Sequence, residues 1–144
     1  MEAYLVPPAS GETFDLGVIK MRLIVSKAQT GGSFSLAEFD GSEGLWTLLH
    51  IHQEMDESFY ILEGEFIFTC GDEEIQAVPG SYVLVPRGTP HVMRAGPGGG
   101  RLLTLMVPGG LEEMFRELSR LSPGSLRDPE ARAAISARYD SVPV

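Results

Sequence analysis

A chain of 144 residues suits one domain of ordinary size, and its 43 % hydrophobic content is enough for a real core. A formal net charge of −9 argues against nucleic acid and anionic membrane surfaces as partners, since both want a basic face. Cys70 is the sole cysteine, so there is no internal disulfide and nothing asks for an oxidising compartment.

The chain opens on "MEAYLVPPAS", with an acid at Glu2 and prolines at Pro7 and Pro8. It has no basic segment followed by an apolar run, so it does not read as a signal peptide. No apolar stretch is long enough for a transmembrane helix. A cytoplasmic, soluble protein is expected. From there most of the chain alternates with a period of two, the pattern of half-buried strands. In "VIKMRLIV" (18–25), Ile19, Met21, Leu23 and Val25 alternate with Lys20 and Arg22. "TGGSFSLAEF" (30–39) predicts a second strand after a glycine turn, and "LWTLLHIH" (45–52) a third. "ESFYILEGEFIFTC" (57–70) predicts a hairpin turning at Glu63–Gly64. The runs "IQAV", "SYVLV", "HVMRA" and "RLLTLMV" follow, separated by "PG", "PRGTP" and "GPGGG". Short strands with Gly and Pro corners predict an all-β sandwich or barrel.

The period changes after Val107. "GLEEMFRELSRL" (110–121) places Leu111, Met114, Phe115, Leu118 and Leu121 on one helical face. Glu112 and Glu113 stand in its first turn, where the helix dipole favours acids. "SPG" (122–124) is expected to stop it. Asp128 as cap and Pro129 in the first helical position predict a second helix running through "EARAAISARY". Both helices are expected to pack on the outside of the β-domain.

Two of the three histidines stand one residue apart, inside the third strand. Residues i and i+2 of a strand share a face and lie about 6.6 Å apart, so His50 and His52 can converge on one ion, with Trp46 and Leu48 on the same side. Glu57 begins the next predicted strand and can point back to the same place. His91 follows the "PRGTP" corner (86–90).

This segment resembles the first motif of the cupin superfamily: Gly, five residues, His-x-His, three or four residues, Glu, six residues, Gly. Here it is Gly44, His50, His52, Glu57 and Gly64. The second cupin motif runs Gly, five residues, Pro-x-Gly, two residues, His, three residues, Asn, and appears as Gly80, Pro86, Gly88 and His91, with Ala95 where the family has Asn. Glu57, unlike Glu54 or Asp56, meets the spacing to both His52 and Gly64. The resemblance implies a cupin double-stranded β-helix, a jelly-roll barrel, with one or two C-terminal α-helices. It would form a single cupin domain over residues 1–144, with a barrel core at about 18–108 and a helical extension at about 110–140. It implies one divalent metal ion per chain, held by His50, His52, Glu57 and His91. Three imidazoles and a carboxylate suit Fe, Mn, Ni, Cu or Zn.

Among cupins the chain is similar to small quercetin-dioxygenase-like members, in "HIHQEMDESFYILEGE" and in the "VPGG" (107–110) before the acidic helix. That similarity implies a metal-dependent dioxygenase acting on a small enolic or phenolic compound, with Glu57 as both ligand and proton acceptor. Trp46, Leu48, Phe59 and Met93 share strand parity with the ligands and are candidates for an apolar substrate pocket. Two other readings stand beside it: a non-enzymatic small-ligand-binding cupin, and a metal-dependent isomerase, which should line its pocket with Arg or Lys. A homodimer is expected, because a small barrel with amphipathic helices needs its exposed apolar faces covered.

Overall fold

The computed structural model describes residues 2–144. Alternation builds most of the strands: β1 (Glu12–Asp15), β2 (Ile19–Val25), β3 (Ser35–Gly41), β4 (Gly44–Leu45), β5 (His50–Ile51), β6 (Asp56–Glu63), β7 (Phe66–Cys70), β8 (Glu73–Ala77), β9 (Tyr82–Val85), β10 (His91–Ala95), β11 (Gly100–Val107) and β12 (Val142–Pro143). They form two antiparallel sheets. One runs β1-β2-β3-β11-β6-β9, the other β12-β5-β10-β7-β8, with β4 also paired to β10. This is the jelly-roll barrel that the motif resemblance implies, with α1 (Glu112–Leu118), α2 (Pro123–Arg127) and α3 (Pro129–Ser136) after it.

The alternate residues of each strand meet between the sheets. Met21, Ala37, Phe59, Ile61, Leu102 and Met106 come from the first sheet, and Phe66, Phe68, Ala77 and Met93 from the second. Phe59 and Phe68 join the layers, with ring centroids 4.9 Å apart. Trp46 packs edge-on against Phe66 at 4.9 Å.

Three sequence expectations change. The 57–70 run is not a hairpin: β6 pairs with β11 and β9, while β7 pairs with β10 and β8. Gly64 turns the chain from one sheet to the other at a φ of 77°, and a Cβ there would stand 2.2 Å from the Gly99 carbonyl oxygen. Only glycine tolerates both conditions. The apolar residues on both sides of the corner then fill the same core without their strands pairing.

The 30–39 run turns at Gly31–Gly32 and continues as β3, as expected. Ser26 and Gln29 form a reciprocal capping box that winds Lys27–Thr30 into a 3-10 turn. The 45–52 run breaks into β4 and β5, with Trp46–Leu49 in neither, so parity does not carry from Trp46 to His50. Finally, "SPG" stops α1 but also starts α2, because Ser122 accepts a hydrogen bond from the Ser125 amide and Pro123 takes the first helical position. Asp128 then caps α3 through the Glu130 amide, 3.1 Å away.

The helices do not lie on an outer sheet face. Leu111, Met114, Phe115 and Leu118 join barrel residues such as Leu16, Ile19 and Phe39 in lining one cavity. Glu112 fastens α1 in that position. Its buried carboxylate accepts from the Lys27 amide (2.7 Å), the Ser35 hydroxyl (2.7 Å) and the Gly110 amide (3.0 Å).

Candidate metal centre and the cavity beside it

β5 and β10 lie side by side with His50 opposite His91. His52 stands just beyond the end of β5, and Glu57 comes across from β6 in the other sheet. One potential ligand atom from each of these four residues lies within 4.8 Å of the others. The imidazoles are close, with ring centroids separated by 4.1 Å (His50–His91), 4.7 Å (His50–His52) and 5.1 Å (His52–His91). His52, Glu57 and His91 are buried and His50 is half-buried.

Each ring is oriented from behind. His50 Nδ1 faces the Leu48 carbonyl at 2.6 Å, His52 Nδ1 the Asp140 carbonyl at 2.5 Å, and His91 Nδ1 the Thr89 carbonyl at 2.9 Å. A carbonyl can only accept, so Nδ1 carries the proton and the Nε2 lone pair is left for another partner. His52 Nε2 and His91 Nε2 both lie 3.3 Å from Glu57 Oε1. His52 Nε2 is off hydrogen-bond alignment, however, and remains a buried nitrogen without a partner. That orphaned atom, facing a carboxylate and two further imidazoles, fits a divalent cation, and nothing else among the described residues satisfies it.

The electrostatics follow from crowding. Burial, reinforced by His91, pulls the His50 pKa from 6.5 to about 4, so this ring is neutral as a ligand must be. Burial alone would raise the Glu57 carboxyl, but contact with His52 and His91 outweighs it and holds the pKa well below the ordinary range. His52 shows the converse: burial lowers its pKa, and Glu57 and Asp140 more than restore it, for a net rise.

Above this cluster lies the cavity. Trp46, Leu48, Phe59 and Met93 all line it, with His50, His52 and Glu57. Trp46, Phe59 and Met93 are buried, whereas Leu48 and Leu49 are exposed and stand at its rim. Sequence reasoning missed two contributors from the C-terminal segment. Asp140 accepts from His52 through its carbonyl and from the Gln53 and Glu54 amides through its carboxylate, at 2.7 and 3.0 Å. Arg132, on α3, lines the cavity. No local signal marks either residue, since both lie far along the chain from the motifs they join.

A jelly roll that holds three histidines and a glutamate beside an apolar cavity is the arrangement of a cupin, and the chain contains a match to the cupin domain. The cupin domain model matches residues 39–108. Among characterised proteins, the chain is 28 % identical over 139 residues to the quercetin 2,3-dioxygenase of Bacillus subtilis (strain 168), covering 96 % of this chain and 40 % of that protein. It is 29 % identical over 115 residues to the quercetin 2,3-dioxygenase of Aspergillus japonicus, covering 75 % of this chain and 33 % of that one. The chain thus spans well under half of either relative. Among solved structures, KdgF from Halomonas sp. superposes with a TM-score of 0.67 at 16 % identity, over 76 % of this chain and 99 % of KdgF. An RmlC-like cupin from Shewanella frigidimarina superposes at 0.64 and 17 % identity, over 78 % and 96 %. At these identities the structural likeness establishes the fold alone.

Among the described residues, no helix is long and apolar enough to cross a membrane.

Proposed function

We propose that the protein is a metal-dependent oxidoreductase of the dioxygenase type, acting on a small enolic or phenolic compound. The observation that supports this most is the position of the His50, His52, Glu57 and His91 cluster, opening directly into an apolar cavity. The similarity to two quercetin 2,3-dioxygenases points the same way. A divalent ion held by these four residues supplies a Lewis acid and, if redox-active, a route to dioxygen chemistry.

The chain's own groups have distinct tasks in this reading. Trp46, Phe59 and Met93 exclude water and hold the apolar body of the substrate. Glu57, anionic and buried, takes the proton of the substrate hydroxyl at a carboxylate oxygen as that hydroxyl enters the cluster. His52 and His91 stay oriented by the carbonyls behind them. The isomerase and pure binding readings use the same cavity but leave no oxygen-dependent turnover.

The test is oxygen uptake across a panel of enols and phenols, after reconstitution with Fe(II), Mn(II), Ni(II) or Cu(II), with metal content measured on the same samples. Glu57→Gln should keep much of the metal and lose about 10²- to 10⁴-fold in turnover, the usual range for a general base. Absence of uptake by the wild type with every metal, alongside tight binding of panel compounds, rejects the enzyme in favour of a binding protein.

The protein is further proposed to act in the cytoplasm as a homodimer. In support, β9 is an edge strand, and its outer face exposes Tyr82 and Leu84 beside Tyr60 of β6. Sedimentation showing only the 15.6 kDa species at micromolar concentration rejects the dimer.

A further inference from the structure

The cavity contains a charge that the metal chemistry does not use. Arg132 is the only Lys or Arg among the residues lining it, it is half-buried, and it belongs to none of the ion pairs among the described residues. Burial is the sole influence on its pKa, which falls, and no neighbouring acid opposes that fall. Glu57, the one carboxylate lining the cavity, is engaged by His52 and His91 instead. A half-buried guanidinium without a counter-charge is costly, and a bound anion relieves that cost.

A second orphan lies in the same cavity. Thr104, 1 % exposed on β11, lines it, and its hydroxyl has no hydrogen-bond partner. Buried hydroxyls are nearly always paired. The cavity therefore offers three unmet polar demands on an apolar wall: the His52 nitrogen at the cluster, the Thr104 hydroxyl and the Arg132 guanidinium.

Size narrows the occupant. The cavity volume is about 100 Å³, smaller than the engineered cavity of roughly 150 Å³ that takes up benzene. The enclosed part takes one end of a ligand while the rest stands at the rim by Leu48 and Leu49, which favours a body of about one ring over a three-ring flavonol. One guanidinium, with no second cation lining the cavity beyond the cluster, matches the two oxygens of a carboxylate better than a phosphate dianion.

We infer that the substrate is a small organic carboxylate with an apolar body of about one ring, and that Arg132 binds its carboxylate while its other oxygen reaches the His–Glu cluster. This assignment of substrate class rests on the proposed function for the role of the cluster, but the anion site stands apart from it.

The experiment titrates benzoate and its neutral isostere benzamide into the protein by calorimetry, metal-free and loaded with Mn(II). Fluorescence of Trp46, the one tryptophan, reports entry into the cavity. Benzoate should bind the wild type at least about 10-fold more tightly than benzamide does. Arg132→Gln should abolish that preference, with an unchanged melting temperature showing that the variant is folded. Arg132→Lys, which keeps the charge but not the fork, should retain part of it. Equal binding of the two probes, or no binding of either, overturns the assignment. So does a preference for benzoate that survives Arg132→Gln, because the charge is then read elsewhere. Tighter binding of quercetin than of benzoate overturns the size limit. Failure of the metal reading shows separately, as absent metal uptake with the benzoate preference of the metal-free protein intact.

Discussion

Asp140→Ala should weaken metal binding even though this residue touches no metal. Its carboxylate holds the Gln53 and Glu54 amides at 2.7 and 3.0 Å, and its carbonyl accepts from His52 Nδ1. The two side-chain bonds pin the turn that carries His52 against the C-terminal segment, so the carbonyl and the ring it orients are kept in register. Each bond is partly exposed and contributes about 1 kcal/mol after competition from water. Losing both costs about 2 kcal/mol, which corresponds to about 30-fold in an equilibrium constant. That value lies inside the 10- to 100-fold typical of groups that orient a metal ligand. The assay is competition for Zn(II) or Mn(II) between the protein and a chromophoric chelator at neutral pH, with melting temperature recorded in parallel. Asp140→Asn keeps one acceptor oxygen and should lose less. An affinity within about twofold of wild type refutes the reasoning, and a fall in melting temperature alone does not rescue it, because the bonds then support the fold without positioning His52.

Glu112→Ala should destabilise the protein by about 2–4 kcal/mol in urea unfolding, since it strips the acceptor from the Lys27 amide and the Ser35 hydroxyl, and leaves the Gly110 amide only the Ser35 hydroxyl oxygen; a loss below about 1 kcal/mol shows that water replaces the carboxylate. The stability of the metal-free protein should fall as pH drops from 6.5 towards 4. His50 takes up a proton near its ordinary pKa of 6.5 when unfolded but only near about 4 when folded. The unfolded chain therefore binds more protons in that window, and stability is lost as pH falls through it, by up to about 3 kcal/mol. The net rise of the His52 pKa acts oppositely, adding stability that is lost as pH climbs above its folded value, so denaturant midpoints should peak near neutrality. In His50→Asn the acid-side slope should shrink, and an unchanged slope assigns it to other groups.

Local order carried much of this protein in its sequence. The alternation of Ile19, Met21 and Leu23 marks β2 because strand side chains alternate regardless of what they pair with. His50, His52 and Glu57 stand close enough in the chain to be read as one cluster, whereas the place of His91 beside them was legible only through the resemblance to the two cupin motifs. The partner of each strand was not legible. The apolar run across Gly64 has the same pattern whether its halves pair with each other or with β11 and β10, and only the close approach of Gly64 to Gly99 in the folded chain separates the two. The break at Trp46–Leu49 was hidden likewise, since Trp46 leaves the strand and turns inward to meet Phe66, which lies on the other side of β10 in the same sheet. The C-terminal segment shows the limit most plainly. His52 and Asp140 are 88 residues apart in the chain, and β12 reaches β5 only after three helices have folded back across the cavity. No propensity or period encodes a contact at that separation. It exists because burying Leu111, Met114 and Leu118 beside the barrel core leaves the chain end next to His50, and that same burial brings Arg132 to the cavity wall.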